Sequence, residues 1–285
     1  MRRRFASATA LLSLLGSSAA ASGELGFATQ YEYLDFANSR QKREGERYRA
    51  ECSGSVKGHT IRIAYERTAT RTCQPPLPED LRVDKYMLNY SLPLIGPLRL
   101  KTAFMAIEDN LAPTDGGRIF GAGLGYGTPT GFQSAIMFYR SRYDDFGTYQ
   151  ADLSVARSFP IGAFRIGLSG VLKSIWIGER GRTSYTANAQ SRYQTPGIRA
   201  HLGYKSYRAG IGAFFGKRLF GVMEEGMRVQ HHAMEMDRTY MAGLSKSFGA
   251  TSLQLRYVYL RATELPLNNP GVTVDNTMLQ LQHRF

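Results

Sequence analysis

Beyond its N-terminal segment the 285-residue sequence has no long hydrophobic run. A helix that crosses a bilayer needs roughly 18 uninterrupted apolar residues, so the rest of the chain holds no transmembrane helix. Cysteine is scarce: Cys52 and Cys73 allow at most one disulfide. Acids are outnumbered, with 23 Asp and Glu against 36 Lys and Arg and a formal charge of +13. The histidines are His59, His201, His231, His232 and His283, and no G-x-S-x-G motif supplies a nucleophile for them to activate. No enzymatic activity is expected on these grounds. Linkers, low-complexity tracts and a separate second domain are also missing.

What is present starts with "MRRRFASATALLSLLGSSAAAS". Basic residues, a short apolar run and the small residues Ala19-x-Ala21 form the order of a secretory signal peptide, too short to span a bilayer. We expect a signal peptide over residues 1–21 and one domain over 22–285. That domain is rich in aromatics and glycine, with 17 Tyr, 15 Phe and 30 Gly in the whole chain. It also alternates. Leu25, Phe27, Tyr31 and Tyr33 fall opposite Gln30 and Glu32; Phe164, Ile166, Leu168, Leu172 and Trp176 fall opposite Arg165, Ser169 and Lys173. Leu253, Leu255, Tyr257 and Tyr259 likewise fall opposite Gln254 and Arg256. An extended strand turns successive side chains to opposite faces, so each segment reads as a strand with an apolar and a polar side. A mean hydropathy of -0.30 fits a wall in which such faces alternate.

The last stretch, "GVTVDNTMLQLQHRF", is the most informative. His283, Leu281, Leu279 and Thr277 share one face, Arg284, Gln282, Gln280 and Asn276 the other, and the chain ends on Phe285. This resembles the closing strand of a Gram-negative outer-membrane β-barrel. In that family the C-terminal pattern, here Leu279, Leu281 and Phe285, is read by the barrel assembly machinery, and the last strand pairs with the first. The resemblance implies an all-β, antiparallel up-and-down barrel in the outer membrane. The ending is also faintly similar to the barrels of surface-lipoprotein assembly modifiers, but their N-terminal helical repeat domain has no counterpart in this sequence.

Strand number follows from the connections. Short links are expected at Lys57-Gly58, Pro93 to Pro97, Thr128 to Gly131, Pro160 to Gly162, Lys205 to Arg208 and Gly249-Ala250. Longer polar links are expected at 37–46, 72–82, 109–116, 144–147, 178–194, 218–235 and 265–272. They join about fourteen strands, or twelve if 47–71 is not a regular hairpin, with the short turns on the periplasmic side. A tight turn at Lys57-Gly58 sets Cys52 opposite Ile63 and leaves Cys73 about 30 Å further along, whereas bridged Cα atoms lie within about 7 Å. Either both thiols are free or the register differs.

Alternation places Arg99, Lys101, Arg165, Lys173, Arg199 and Arg256 in the lumen as candidate solute contacts, with Arg49, Arg62, Lys85, Lys205 and Arg284 on the same inner face. The inward acids are Glu32, Glu51, Glu66 and Asp152. A low-dielectric wall of one sign concentrates counter-ions, so the expected function is passive diffusion of small hydrophilic solutes, anions preferentially, without a cofactor. The alternative is a closed or narrow barrel with a structural, partner-binding or assembly role, in which basic residues pair across strands. Rim bases such as Arg40, Lys42, Arg43, Arg180 and Arg182 would then meet lipopolysaccharide phosphates. Links 178–194 and 218–235 are long enough to fold inward and block the lumen. The second carries His231, His232 and Met234, weak candidates for a metal and without any defined motif spacing. Expected partners are outer-membrane lipid, lipopolysaccharide, the assembly machinery and small solutes; nucleic acid is not among them, and a monomer is expected.

Overall fold

A computed structural model describes residues 23–73, 77–78, 80–128, 130–178, 185–186 and 188–285. The expected signal peptide over 1–21 lies outside the described residues, as do Arg180 and Arg182. The alternating segments form long antiparallel strands: β1 (Glu24–Ala37), β2 (Lys42–Val56), β3 (His59–Thr72), β4 (Asp80–Pro93), β5 (Leu98–Asp109), β6 (Arg118–Gly127) and β7 (Phe132–Arg142). They continue as β8 (Gly147–Ile161), β9 (Phe164–Gly178), β10 (Arg192–Tyr204), β11 (Tyr207–Arg218), β14 (Met234–Phe248), β15 (Thr251–Glu264) and β16 (Asn269–Arg284). Between β11 and β14, the two-residue strands β12 (Val222–Met223) and β13 (Arg228–Val229) pair only with each other. The fourteen long strands close into one barrel in chain order.

Closure is made by β1 against β16, from Gly26 opposite Arg284 to Ala37 opposite Thr273. The Phe285 N–H adds a 2.9 Å bond to the Leu25 carbonyl. With each of the fourteen wall strands paired on both sides the wall has no edge, which is what a β-structure needs where no water can bond its backbone.

Lys57 and Gly58 both have positive φ, 49° and 81°, the conformation of a two-residue turn whose twist matches its strands. The other short links fall at the expected places, except that Pro93 still belongs to β4, Pro160 and Ile161 still belong to β8, and Tyr207 and Arg208 already belong to β11. The long links are shorter than the sequence pattern suggests: β2 starts at Lys42 and β16 at Asn269, inside the expected links 37–46 and 265–272. Backbone pairing needs no apolar side chain, so Glu44 opposite Asp35 and Asp275 opposite Asp35 continue the ladder past the point where the hydrophobic alternation stops. The strands accordingly reach 16 residues in β16, more than the about 9–11 needed to cross a bilayer.

Leu168, Leu172, Ile198, Ile211, Leu244, Leu255, Leu279 and Leu281 are exposed on the outside. Aromatics pair there too, as with Tyr31 and Tyr48 at 5.2 Å and Tyr65 and Tyr86 at 5.4 Å between ring centroids. Cys52 stands opposite Ile63 and both cysteines are free, so the tight hairpin over 47–71 and the unbridged thiols agree.

Candidate functional site

The connection from β11 to β14 folds into the lumen. Its side chains are too apolar to stay in water: Leu219, Phe220, Val222, Met227 and Val229 are all almost fully buried, packed with wall residues such as Met105, Ile119, Tyr139 and Ile175. Polar groups fix its depth. Arg49 donates to the Met227 carbonyl (3.0 Å), Asn89 to the Glu225 carbonyl (2.7 Å) and Lys173 to the Val222 carbonyl (2.9 Å). Gln150 both donates to the Val222 carbonyl and accepts from its N–H, each at 2.8 Å. At the tip, Gly226 has φ 93°, and a Cβ there would lie 2.4 Å from that of Ala103, so only glycine lets the loop approach β5 so closely.

All six expected lumen bases face inward, but the loop divides them. Lys101 is bound to Glu225 at 2.7 Å, Arg256 lies 3.6 Å from Glu224, and Lys173 is paired with Asp152 beneath Val222. Arg99 serves the wall, donating to Ser91 at 2.9 Å and to the Gly58 carbonyl. Arg165 and Arg199 make no ion pair among the described residues, and both are solvent-exposed; Arg199 lies over the Phe214 ring at 5.5 Å. Lys205 sits in the β10–β11 turn rather than on the wall, its ammonium 5.3 Å from the Tyr204 ring.

The inward acids are also engaged. Glu32 bridges Arg47 (2.7 Å) and Arg228 (2.9 Å), Glu66 bonds Lys85 (2.9 Å), and Glu51 holds Arg49 (2.7 Å) and Arg62 (2.8 Å). Two spaces stand out among the described residues. One, of about 580 Å³, opens at the short-turn end and includes Arg165, Lys205, Arg208 and Arg284 with Ser245, Gln254, Gln280 and Gln282; no acid lines it. The other, of about 150 Å³, lies between the loop and the wall of β14 to β16, β1 and β2, beside Arg199, Arg228 and Arg256.

A closed fourteen-strand wall with an apolar outside and a polar, ion-paired inside is built for a bilayer. Among solved structures it is similar to the outer membrane protein Omp33 of Acinetobacter baumannii, with a TM-score of 0.51 at 10% identity over 92% of this chain and 99% of that one. It is also similar to a bacterial polysaccharide outer membrane secretin, with a TM-score of 0.54 at 8% identity over 92% of this chain and 98% of that one. The fold is that of a Gram-negative outer-membrane β-barrel. No protein-family model matches the sequence of this barrel, and no curated protein does.

At the long-loop end of the barrel the connections are laced together. Arg40 N–H donates to Glu264 at 3.0 Å, Asn269 to the Asn38 carbonyl at 3.0 Å, Leu265 N–H to the Ala233 carbonyl at 3.1 Å, and Asn188 to the Leu265 carbonyl at 3.0 Å. Lys42, expected among the exposed rim bases, is instead buried, its ammonium 3.3 Å from both His232 Nδ1 and Met234 Sδ. The cause is that β2 begins at Lys42, directly under the in-folded loop. Met234 therefore faces Lys42, and the residue that joins His231 and His232 is Asp109. Arg47 and Arg208 are lumen bases that the alternation pattern would have revealed, since Arg47 shares a face with Arg49 and Arg208 follows the outward Tyr207. Arg228 and Glu224 had no such signal, because they lie in a loop.

Proposed function

We propose that this barrel is a narrow outer-membrane channel for small hydrophilic solutes, with anions preferred. One observation carries the reading: the space at the short-turn end holds Arg165, Lys205, Arg208 and Arg284 and no lining acid. In a low-dielectric mouth such a set attracts anions from the periplasmic side, and guanidinium forks replace part of a solute's hydration without holding it tightly. From there Arg199 leads to the narrower space beside Arg256. The loop over 219–233 restricts the passage to small solutes, and no covalent step is involved. Residues 1–21 act as the export signal, residues 22–285 make the barrel, the assembly machinery reads Leu279, Leu281 and Phe285, and the monomer sits in lipid and lipopolysaccharide.

The bonded loops at the outer mouth favour a second reading, a barrel closed at rest with a structural or partner-binding role. Swelling of liposomes carrying the refolded barrel separates the two. The channel reading expects a small sugar acid to enter faster than a neutral sugar of equal size, and expects Arg165→Gln, Arg199→Gln and Arg208→Gln together to abolish the difference. No entry of either solute would favour the closed barrel.

A further inference from the structure

Near the outer end of the lumen three side chains from two elements converge. Asp109 ends β5, while His231 and His232 come from the in-folded loop, and their ligand atoms all lie within 4.8 Å of one another. Asp109 Oδ2 stands 3.6 Å from His231 Nε2, with side-chain exposures of 0% and 6%. The Nε2 atoms of both histidines are buried without a hydrogen-bond partner among the described residues. Buried polar atoms are rarely left so, and an unpaired pair of them facing a carboxylate needs a reason.

The surroundings orient the groups as ligands. His231 Nε2, which has no hydrogen-bond partner among the described residues, has Asp109 Oδ2 in front of it. Asp109 is held by the Leu111 N–H at 2.8 Å and the Thr114 hydroxyl at 2.7 Å. Two imidazoles and a carboxylate suit first-row divalent ions better than calcium or magnesium.

We propose that Asp109, His231 and His232 bind one divalent first-row transition-metal ion, zinc being the type, and that the ion latches the in-folded loop to β5. Ligands at about 2.0–2.1 Å on a tetrahedral ion are roughly 3.4 Å apart, so the Asp109–His231 pair is already near its bound spacing. His232 completes the set by turning within the 4.8 Å limit, and its Nδ1 then gives up the contact with Lys42. Lys42 is a like charge beside the ion and weakens its binding. The site stands whether or not the barrel conducts.

The test uses the full-length barrel refolded in detergent, stripped with a chelator and titrated with cobalt(II) and then zinc(II), with its heat-modifiable gel mobility as the check of folding. One cobalt per chain is expected, with the visible absorption of a low-coordinate nitrogen and oxygen site, and zinc should displace it. His231→Ala and His232→Ala should each weaken binding by about tenfold or more, on the scale of a lost supporting contact or greater. Asp109→Asn, which keeps the acceptor for Leu111, should also weaken it. Met234→Leu should change nothing and Lys42→Met should tighten it. A folded wild-type barrel that binds no stoichiometric cobalt, or binding unchanged in folded His231→Ala and His232→Ala, would overturn the proposal.

Discussion

Lys85 and Glu66 are joined at 2.9 Å with side chains only 2% exposed, and Arg47 stands 3.4 Å from the same carboxylate. Breaking a buried pair costs up to about 3–5 kcal/mol, and removing Lys85 leaves Glu66 with only the more distant Arg47 in contact. Lys85→Met is therefore expected to lower the urea midpoint of the folded barrel far more than the exposed Arg71→Met does, since Arg71 is 74% exposed. Glu224 gives a pH prediction. Burial raises its carboxyl, but Arg228, Arg256, Arg49 and Arg199 outweigh that and hold it below the usual 4.5. A group depressed in the docked loop supports docking above its free value and loses that support as pH falls through the depressed one. The step size of channel openings should stay constant from pH 8 to about 5 and grow only below the ordinary carboxylate range. Growth between pH 7 and 5 would contradict this assignment. At this scale the sequence was readable wherever period 2 held, as for Arg165, Lys173 and Arg256. It was silent on Glu224 and Arg228, whose places depend on how a loop packs.

Among elements, the loop over 219–233 and the closing strand β16 matter most. Gly226→Ala imposes a side chain at φ 93° and drives its Cβ against Ala103. A strained backbone of this kind costs roughly 1–3 kcal/mol, so the loop should dock less firmly and the variant should show larger openings than wild type. Identical openings would mean that the loop does not limit the passage. For β16, Phe285 is 78% exposed, so Phe285→Ser should leave the stability of the refolded barrel almost unchanged. If the terminal aromatic is the assembly signal, the same change should cut the yield of folded barrel in cells. Strand number and turn positions were legible because turns carry Gly, Pro and Lys-Gly signals between alternating runs. Loop lengths were not, because pairing such as that of Glu44 with Asp35 outlasts the apolar pattern. The length of 218–235 allowed inward folding, but its burial follows from the contacts of Leu219, Phe220 and Met227 with a wall assembled from distant strands.

For the whole molecule, a raw count of inward bases overstates the field in the lumen. Glu32, Glu51, Glu66 and Asp152 are paired, and the loop brings in Glu224 and Glu225 to bind Arg256 and Lys101. On the proposed channel reading, the charge that acts on a solute is concentrated at the short-turn end, around Arg165, Arg208 and Arg284, and along the exposed Arg199. Selectivity should consequently fall as salt is raised, since screening shortens the reach of such groups to about 3 Å at 1 M. The most direct test is single-channel recording of the refolded barrel in a planar bilayer under a salt gradient. Small discrete openings with a reversal potential on the anion side are predicted. Openings that favour cations, or a folded barrel silent at every voltage, would contradict a narrow anion-preferring passage.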